Sequence, residues 1–264
     1  MTRARVVAVV NQKGGVGKTT TTVNLGTALA ASGRRVMIVD IDPQGNSSTS
    51  LGIDYGQRTQ GTYSLLLPHG RDPRSRETIV PNLTVLSSDS ELAGAEIELV
   101  SEPRREYRLA EGLSRWGFLE ACDTILLDCP PSLGLLTLNS LVACDEVLVP
   151  LQCEFFALEG VSQLLRTIER VRSRLNTGLA LNGIVLTMFD RRNNLSELVA
   201  ADARSFFKHL VYETVIPRNV RVSEAPSHGK SVLLYDYRSP GAQAYVRLAQ
   251  EFLTRSRQNA KAPA

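Results

Sequence analysis

The chain has 264 residues, of which 43% are hydrophobic and 22% are charged, and its formal net charge is +3. These ordinary globular values exclude a disordered or low-complexity protein, and the length predicts one large domain or two small ones. No stretch approaches the ~18 consecutive apolar residues of a membrane-spanning helix, and the apolar run at 6–10 is too short for a secretory signal, so we expect a cytoplasmic protein.

Short apolar runs rich in β-branched residues alternate with helical periodicities along the chain. Continuous apolar runs predict strands buried on both faces, as in a parallel sheet covered by helices. The predicted strands are 5–10, 35–40, 83–87, 123–128, 145–150, 181–187 and 211–216. The predicted helices are 18–32, 91–98, 103–119, 133–143, 158–175, 195–209 and 240–256, and residues 52–82 predict an irregular or short-helical excursion.

This alternation predicts the fold class and the domain organisation. Strands that alternate with helices form βαβ units, so we expect an α/β fold with an open, mostly parallel, twisted sheet of about seven or eight strands and helices on both faces. The sequence shows no internal repeat and no linker. We therefore expect a single domain over residues 1–257, followed by a disordered tail at 258–264.

A glycine-rich loop at residues 11–17 connects the first predicted strand to a helix that begins at Lys18. Glycines allow backbone N–H groups to turn inward around phosphate oxygens, and a helix N-terminus adds positive potential. In this context the Lys18 ammonium would reach the β- and γ-phosphates of a nucleotide, and the Thr19 hydroxyl would ligate Mg²⁺. The sequence therefore predicts a P-loop NTPase that binds nucleotide through Lys13, Gly14, Gly15, Val16, Gly17, Lys18, Thr19 and Thr20.

Only five of the 30 basic residues are lysine, yet Lys13 and Lys18 lie in this one loop. The first glycine of the standard motif G-x-x-x-x-G-K-[ST] would fall at position 12, where the sequence has Gln12. The run K-G-G-V-G-K-T-T resembles the deviant Walker A motif of the ParA/MinD ATPases. This resemblance implies that Lys13 reaches across a dimer to the nucleotide of the partner chain, where it would act as an arginine finger does.

Two predicted strands are followed by aspartates at the carboxyl edge of the sheet, where α/β proteins bind their ligands. Asp40 ends the second predicted strand and Asp42 lies two residues further on, and Asp128 ends the strand I-L-L-D, which looks like a Walker B motif. Carboxylates facing phosphates suit Mg²⁺ coordination through water and the positioning of an attacking water. The resemblance assigns the water-orienting role to Asp42 and an outer-sphere Mg²⁺ role to Asp40, and Asp128 would hold a Mg²⁺-bound water. Lys13, Lys18 and Asp42 are thus the predicted catalytic residues.

The resemblance continues to the C-terminus. The sequence is similar to the ParA/Soj branch of this family in segments 151–160, 186–190 and 215–230. The resemblance implies that Pro217 and Asn219 lie against adenine. It also implies that an ATP-bound homodimer binds DNA without sequence preference through basic residues of the later half. The candidates are Arg191, Arg192, Arg221 and Lys230. The arginines of helix 158–175 are secondary candidates. Residues 133–264 carry 16 basic and 12 acidic side chains, which agrees with such a surface.

The ParA/Soj resemblance implies a partitioning ATPase, nucleoid-associated when ATP is bound, that segregates chromosomes or plasmids. Its hydrolysis would be stimulated by a ParB/Spo0J-like centromere-binding protein. A MinD-like membrane-cycling ATPase would instead need a C-terminal amphipathic anchor, which Q-N-A-K-A-P-A at 258–264 does not supply, so we expect no membrane partner.

Two further alternatives share the predicted fold. An iron–sulfur protein would need cysteines that face a dimer axis or a C-x-x-C pair, and the four cysteines at 122, 129, 144 and 153 have no C-x-x-C spacing. We expect these cysteines to be reduced and buried as small apolar residues. A small-molecule P-loop enzyme such as a ligase remains an open alternative.

Overall fold

The computed structural model describes residues 3–67, 70–89, 91–154 and 157–259. Within these residues the strands are β1 (Arg5–Val9), β2 (Val36–Asp40), β3 (Arg76–Glu77), β4 (Leu83–Leu86), β5 (Thr124–Asp128), β6 (Glu146–Gln152) and β7 (Ala180–Thr187). The α-helices are α1 (Lys18–Ala31), α2 (Asn46–Ser50), α3 (Thr62–Leu66), α4 (Leu92–Glu98), α5 (Arg108–Arg115), α6 (Phe118–Ala121), α7 (Leu135–Ala143), α8 (Ala157–Arg174), α9 (Asn194–Phe207), α10 (Val220–Glu224), α11 (Val232–Tyr235) and α12 (Pro240–Asn259). Short 3₁₀ turns lie at Tyr55–Gln57, Leu99–Ser101, Arg105–Tyr107, Lys208–Leu210 and Ala225–His228.

In the described residues the strands form one sheet of seven, in the order β3-β4-β2-β5-β1-β6-β7. Every neighbouring pair is parallel except β3 and β4, which run antiparallel at one edge. Strand β1 lies in the interior of the sheet, between β5 and β6, so the loop that follows β1 leaves from the carboxyl edge of an interior strand. This arrangement confirms the predicted α/β class and the open, mostly parallel sheet.

Each face of the sheet carries a separate apolar core, because successive side chains of a strand point to opposite faces. In β1, Val6 and Ala8 enter one core, whereas Val7 and Val9 enter the other. Helices α5, α7, α8 and α9 cover the first core, and α1 and α12 cover the second. Strands buried on both faces explain why the sequence reads as continuous apolar runs rather than as alternating ones.

The predicted strand at 211–216 is wrong, since the segment lies beside β7 without forming a ladder. The Tyr212 N–H donates to the Ile184 carbonyl oxygen and the Ile216 N–H to that of Leu186, at 2.9 and 2.8 Å. Between these bonds, the amides of Glu213 and Thr214 donate to the Glu251 carboxylate of α12, both at 2.9 Å. A side chain from α12 therefore takes the donors that a continuous strand would have used.

Other differences concern the limits of elements. The predicted helix 103–119 is divided into a 3₁₀ turn, α5 and α6, and the last break occurs at Gly117, whose φ of 70° is left-handed. The excursion at 52–82 contains the short helix α3, in agreement with the prediction, but it also contains the two-residue strand β3, which is too short to leave a periodic signal. Helix α12 extends to Asn259, so residues 258 and 259 of the predicted tail are helical, and residues 260–264 lie outside the described residues.

Candidate nucleotide-binding site

The glycine-rich loop between β1 and α1 is anchored by Asn11, which is buried. Its Nδ2 donates to the Pro150 carbonyl oxygen at 2.7 Å, and its Oδ1 accepts the Lys13 backbone N–H at 3.0 Å. Gly15 and Gly17 take left-handed φ values of 75° and 89°, which L side chains rarely adopt. The loop therefore bends back on itself where the sequence predicts that backbone amides surround phosphate.

Lys18 begins α1 and is only 7% exposed. Its Nζ donates to the Lys13 carbonyl oxygen at 3.0 Å, so the loop's own backbone holds the ammonium group. Burial lowers the pKa of Lys18, and the negative charge of Asp128 is the largest opposing influence. A buried cation at the start of a helix has the position and the charge to bind phosphate oxygens.

Lys13 lies in the same loop but has a different environment. Its Nζ forms an ion pair with Glu154 Oε2 at 2.7 Å, and about half of each of the two side chains is exposed. The Gln152 side-chain amide also contacts Glu154. The structure thus places the Lys13 ammonium at the end of β6, on its own chain's carboxylate, and not among the buried groups around Lys18.

Two of the predicted carboxylates lie side by side because β2 and β5 are neighbours. Asp40 and Asp128 are opposite each other in the strand register, and both are fully buried. Asp40 Oδ2 accepts the backbone N–H and the hydroxyl of Ser48, at 2.8 and 2.7 Å. Asp128 Oδ2 accepts the Ser47 hydroxyl at 2.7 Å, and Asp128 Oδ1 accepts the Thr22 hydroxyl at 3.3 Å.

Burial and mutual repulsion change the acidity of these two groups. Burial, followed by the charge of Asp128, raises the pKa of Asp40 to about 8. Burial also raises the pKa of Asp128 to about 6, although hydrogen bonds from Ser47 and Thr19 oppose the rise. Two adjacent buried carboxylates are unfavourable when both are charged, and a nearby cation relieves this cost.

The donor set fits Mg²⁺ that arrives with a nucleotide. Asp40 Oδ1 is buried and has no hydrogen-bond partner among the described residues. No group of three or more His, Cys, Asp or Glu side chains in the described chain could hold a metal by itself. Mg²⁺ typically uses one or two carboxylates, water and substrate phosphates rather than a cage of protein ligands. A site made of the Thr19 hydroxyl and these two carboxylates meets that requirement.

Asp42 lies in the loop that joins β2 to α2 and is 7% exposed. Its Oδ1 accepts the Gln44 backbone N–H at 3.0 Å, which fixes the carboxylate over the start of the loop. The loop ends at Gly45, whose φ is 64°, and a Cβ at this position would overlap Nη1 of Arg58. The structure therefore brings Asp42, Asp40, Asp128 and Lys18 to one edge of the sheet.

Sequence reasoning missed three residues of this region, namely Ser47, Ser48 and Arg58. Ser47 and Ser48 directly follow the segment D-I-D-P-Q-G-N, so their nearness to the aspartates in the sequence was a usable signal. Arg58 is 9% exposed and donates to the Ile53 carbonyl oxygen and to the Thr49 hydroxyl, the latter at 2.7 Å. No local pattern in the irregular segment 52–82 predicts that this arginine packs behind the Asp42 loop.

The segment with Pro217 and Asn219 approaches the glycine-rich loop through the end of β7. The Thr187 hydroxyl donates to the Val16 carbonyl oxygen at 2.9 Å, and Pro217 pairs with Phe189 in an isolated parallel bridge. Asn219 Oδ1 is buried without a hydrogen-bond partner among the described residues. A side-chain oxygen in this state can accept a hydrogen bond from a ligand such as an adenine amino group.

A close backbone contact joins α2 to the turn that follows α10. Gly52 and Gly229 both have left-handed φ values, 77° and 61°. A Cβ on Gly229 would lie 2.9 Å from the Gly52 Cα, and a Cβ on Gly52 would lie 3.3 Å from the Gly229 carbonyl oxygen. We name this the glycine contact. It holds the end of α2 directly against the C-terminal part of the chain.

The four candidate DNA-binding side chains are all exposed, but they differ in their partners. Arg192 pairs with Asp190 at 2.9 Å, and Arg221 pairs with Glu224 at 2.9 Å and with Asp236 at 3.5 Å. The side chains of Arg191 and Lys230 form no ion pair within the part of the chain that the structure describes. The Arg218 N–H donates to the Phe189 carbonyl oxygen at 3.0 Å, so the segments that carry these residues lie side by side.

Residues 4–181 match the family described as an AAA domain. The chain is 56% identical to the chromosome partitioning protein ParA of Caulobacter vibrioides (strain NA1000 / CB15N), covering 96% of this chain and 95% of that protein. It is 52% identical to the sporulation initiation inhibitor protein Soj of Bacillus subtilis (strain 168), covering 94% of this chain and 97% of that protein.

Solved structures give the same architecture. Cobyrinic acid a,c-diamide synthase from Mycobacterium smegmatis with bound ADP and magnesium superimposes with a TM-score of 0.84 at 38% identity, covering 99% of this chain and 98% of that one. The cell division ATPase MinD from Pyrococcus furiosus superimposes with a TM-score of 0.77 at 28% identity, covering 95% and 99%. Among the described residues, no helix is long and apolar enough to cross a membrane.

Proposed function

Because the chain belongs to the ParA/Soj family of chromosome-partitioning ATPases, we propose that ATP joins two copies into a nucleotide-sandwich dimer that binds DNA without sequence specificity. Hydrolysis would then release the DNA. One observation carries the proposal: a single loop holds two lysines with different environments. Lys18 is buried against its own loop, whereas Lys13 is half exposed and directed to the surface. The first suits the chain's own nucleotide, and the second suits the nucleotide of a partner chain.

Within one protomer, Lys18 and the loop amides would bind the β- and γ-phosphate oxygens of ATP. The Thr19 hydroxyl would ligate Mg²⁺ directly, and Asp40 and Asp128 would hold it through water. Bound Mg²⁺ would supply positive charge to the phosphate oxygens. Pro217 would pack against adenine, and Asn219 would accept a hydrogen bond from it. The support for these roles is that Asp40 Oδ1 and Asn219 Oδ1 are both buried and have no hydrogen-bond partner among the described residues.

Hydrolysis needs a water held in line with the γ-phosphate and a cation where negative charge develops. Asp42 is the candidate for orienting the water. Its carboxylate lies beside the other carboxylates and is held in place by the Gln44 backbone N–H. Lys13 of the partner copy would supply the cation. A ParB/Spo0J-like centromere-binding protein would stimulate this step, and the protein would associate with the nucleoid while ATP is bound.

ATP can control DNA binding through the number of cations in one rigid body. Of the four candidate cations, a single copy presents Arg191 and Lys230 without an ion pair among the described residues, and each phosphate contact is weak. Two copies double these contacts in one binding event, so the affinity multiplies through effective concentration. We expect Arg191 and Lys230 to contribute most, because Arg192 and Arg221 are already paired with carboxylates of their own chain. Contacts to phosphate carry no sequence information, so binding should not depend on sequence.

A small-molecule P-loop enzyme is the second candidate function. It is favoured by the 38% identity to cobyrinic acid a,c-diamide synthase over nearly the whole chain. The identity to the partitioning proteins ParA and Soj is higher, at 56% and 52%. A MinD-like membrane cycle has less support, because the identity to MinD is 28%.

Fluorescence anisotropy of a labelled random-sequence duplex, measured with ADP and with a non-hydrolysed ATP analogue, tests the proposal. We expect binding only with the ATP analogue, equal affinity for a second duplex of unrelated sequence, and a log–log salt slope near −0.9 per phosphate neutralised. Equal affinity in both nucleotide states would contradict ATP gating. Absence of binding in both states would favour the small-molecule enzyme, and ATP-dependent pelleting with anionic vesicles would favour the MinD-like cycle.

A further inference from the structure

The short helix α2 carries two consecutive serines whose hydroxyls reach different strands. Ser47 and Ser48 are both fully buried. The Ser47 hydroxyl donates to Asp128 on β5, and the Ser48 hydroxyl donates to Asp40 on β2, both at 2.7 Å. One turn of helix therefore bridges the two carboxylates that are opposite each other in the sheet.

These contacts differ from what hydroxyl side chains in a helix usually do. Such hydroxyls commonly donate to the carbonyl oxygen four residues earlier. In α2 this is true of Thr49, which donates to Gly45 at 3.1 Å, and of Ser50, which donates to Asn46 at 2.7 Å. Ser47 and Ser48 instead donate their hydroxyls to carboxylates. Two of the four hydroxyls in this helix therefore bond to its own backbone, and two bond to the aspartates of the site.

We propose that Ser47 and Ser48 are positioning residues that fix the carboxylates of Asp128 and Asp40 for Mg²⁺ binding. This inference rests on the proposed Mg²⁺ role of the two aspartates. Each serine hydroxyl donates a hydrogen bond to the Oδ2 atom of its aspartate. In Asp40 this leaves Oδ1 buried and without a partner among the described residues, and therefore available to a Mg²⁺-bound water.

The expected loss of Mg²⁺ affinity follows from the behaviour of groups that hydrogen-bond to metal ligands. Partners that orient a ligating side chain typically contribute 10–100-fold in metal affinity. Each carboxylate keeps a second hydrogen bond when its serine hydroxyl is removed. Asp40 keeps the Ser48 backbone N–H at 2.8 Å, and Asp128 keeps the Thr22 hydroxyl at 3.3 Å, which it shares with the Lys18 carbonyl oxygen at 3.0 Å. We therefore expect about a 10-fold weaker Mg²⁺ affinity for each single variant, at the lower end of that range.

The test is a Mg²⁺ titration of the full chain in the presence of a fluorescent ADP analogue, mant-ADP. The half-saturating Mg²⁺ concentration should rise about 10-fold in Ser47→Ala and in Ser48→Ala. Ser50→Ala is the matched control, because it removes a buried hydroxyl from the same helix that touches no carboxylate. The control should keep the wild-type Mg²⁺ dependence. The mant-ADP affinity measured without Mg²⁺ should be the same in all four proteins, and saturating Mg²⁺ should restore ATP hydrolysis in both serine variants.

An unchanged half-saturating Mg²⁺ concentration in Ser47→Ala and Ser48→Ala would overturn the proposal. So would a loss of mant-ADP affinity without Mg²⁺, because this would show that the serines only support the glycine-rich loop. If an alanine variant loses its cooperative thermal transition, the nearly isosteric Ser47→Cys and Ser48→Cys carry the same expectation, since a thiol is a weak donor. The titration uses ADP and no DNA, so a protein that never binds DNA would refute the proposed function and leave this result intact.

Discussion

Replacing Glu154 by glutamine should strengthen ATP-dependent dimerisation, because Glu154 holds Lys13 on its own chain. The Lys13 Nζ lies 2.7 Å from Glu154 Oε2. If Lys13 must reach the nucleotide of a partner copy, this ion pair has to break in both protomers before the dimer closes. Glu154→Gln removes the negative charge and leaves a side chain of the same shape.

The size of the expected change in dimer Kd follows from the solvent exposure of the Lys13–Glu154 ion pair. The side chains are 50% and 47% exposed, so the ion pair belongs to the half-solvated class that contributes about 0.2–1 kcal/mol. Two pairs per dimer amount to about 0.4–2 kcal/mol, which corresponds to a dimer Kd about 2- to 30-fold lower in the variant. Salt screens such pairs, so the difference between variant and wild type should shrink as ionic strength rises.

Sedimentation equilibrium with a non-hydrolysed ATP analogue, at low and moderate salt, measures this dimer Kd. Glu159→Gln is the control, because it removes the same charge from the first turn of α8, and Glu159 forms no ion pair within the described part of the chain. The control should dimerise as the wild type does. A Glu154→Gln protein that dimerises more weakly would refute the reasoning, since Glu154 would then be a contact of the dimer itself.

Four further variants test other parts of the proposed cycle. Lys18→Ala should abolish ATP binding in a mant-ATP titration, because it removes the buried cation at the phosphates; near-normal affinity would contradict this placement. Gly14→Val should fold and bind nucleotide, since a Cβ there meets nothing within 4 Å, but it should remain monomeric by size-exclusion chromatography with the ATP analogue. Asp42→Ala should lower hydrolysis by roughly 10²–10⁴-fold and keep the protein on DNA, and a variant with normal turnover would exclude Asp42 as the water-orienting group. Arg191→Ala should flatten the salt slope of DNA binding by up to about two units per dimer, and Arg192→Ala by less, because Asp190 already pairs with it; equal slopes would show that the pairing does not matter.

The sequence predicted the sheet and the glycine-rich loop because both have local signals. A strand buried on both faces is a continuous apolar run, and a phosphate-binding loop is a fixed spacing of glycine, lysine and threonine. The aspartates were found for the same reason, since each ends or directly follows such a run. Their side-by-side position on β2 and β5 follows from the strand order, which no local pattern contains.

The features that the sequence did not predict depend on contacts between distant residues. Lys13 and Glu154 are far apart in the chain, and their ion pair exists because β1 and β6 are neighbours in the sheet. The segment 211–216 has the composition of a strand, but the carboxylate of Glu251 on α12 takes two of its amides. Composition gives the preference of a segment, whereas a side chain from another element decides which partner its backbone finds.

The glycine contact between Gly52 and Gly229 restricts how this sequence can change during evolution. Both positions have left-handed backbone, and a side chain at either one would meet the backbone of the other. Most packed pairs tolerate exchange, because a larger residue on one side can be offset by a smaller residue on the other. Here neither residue can become smaller, so a substitution at one position has no compensating substitution at its neighbour. A substitution at either glycine should therefore cost stability that no change at the other glycine restores.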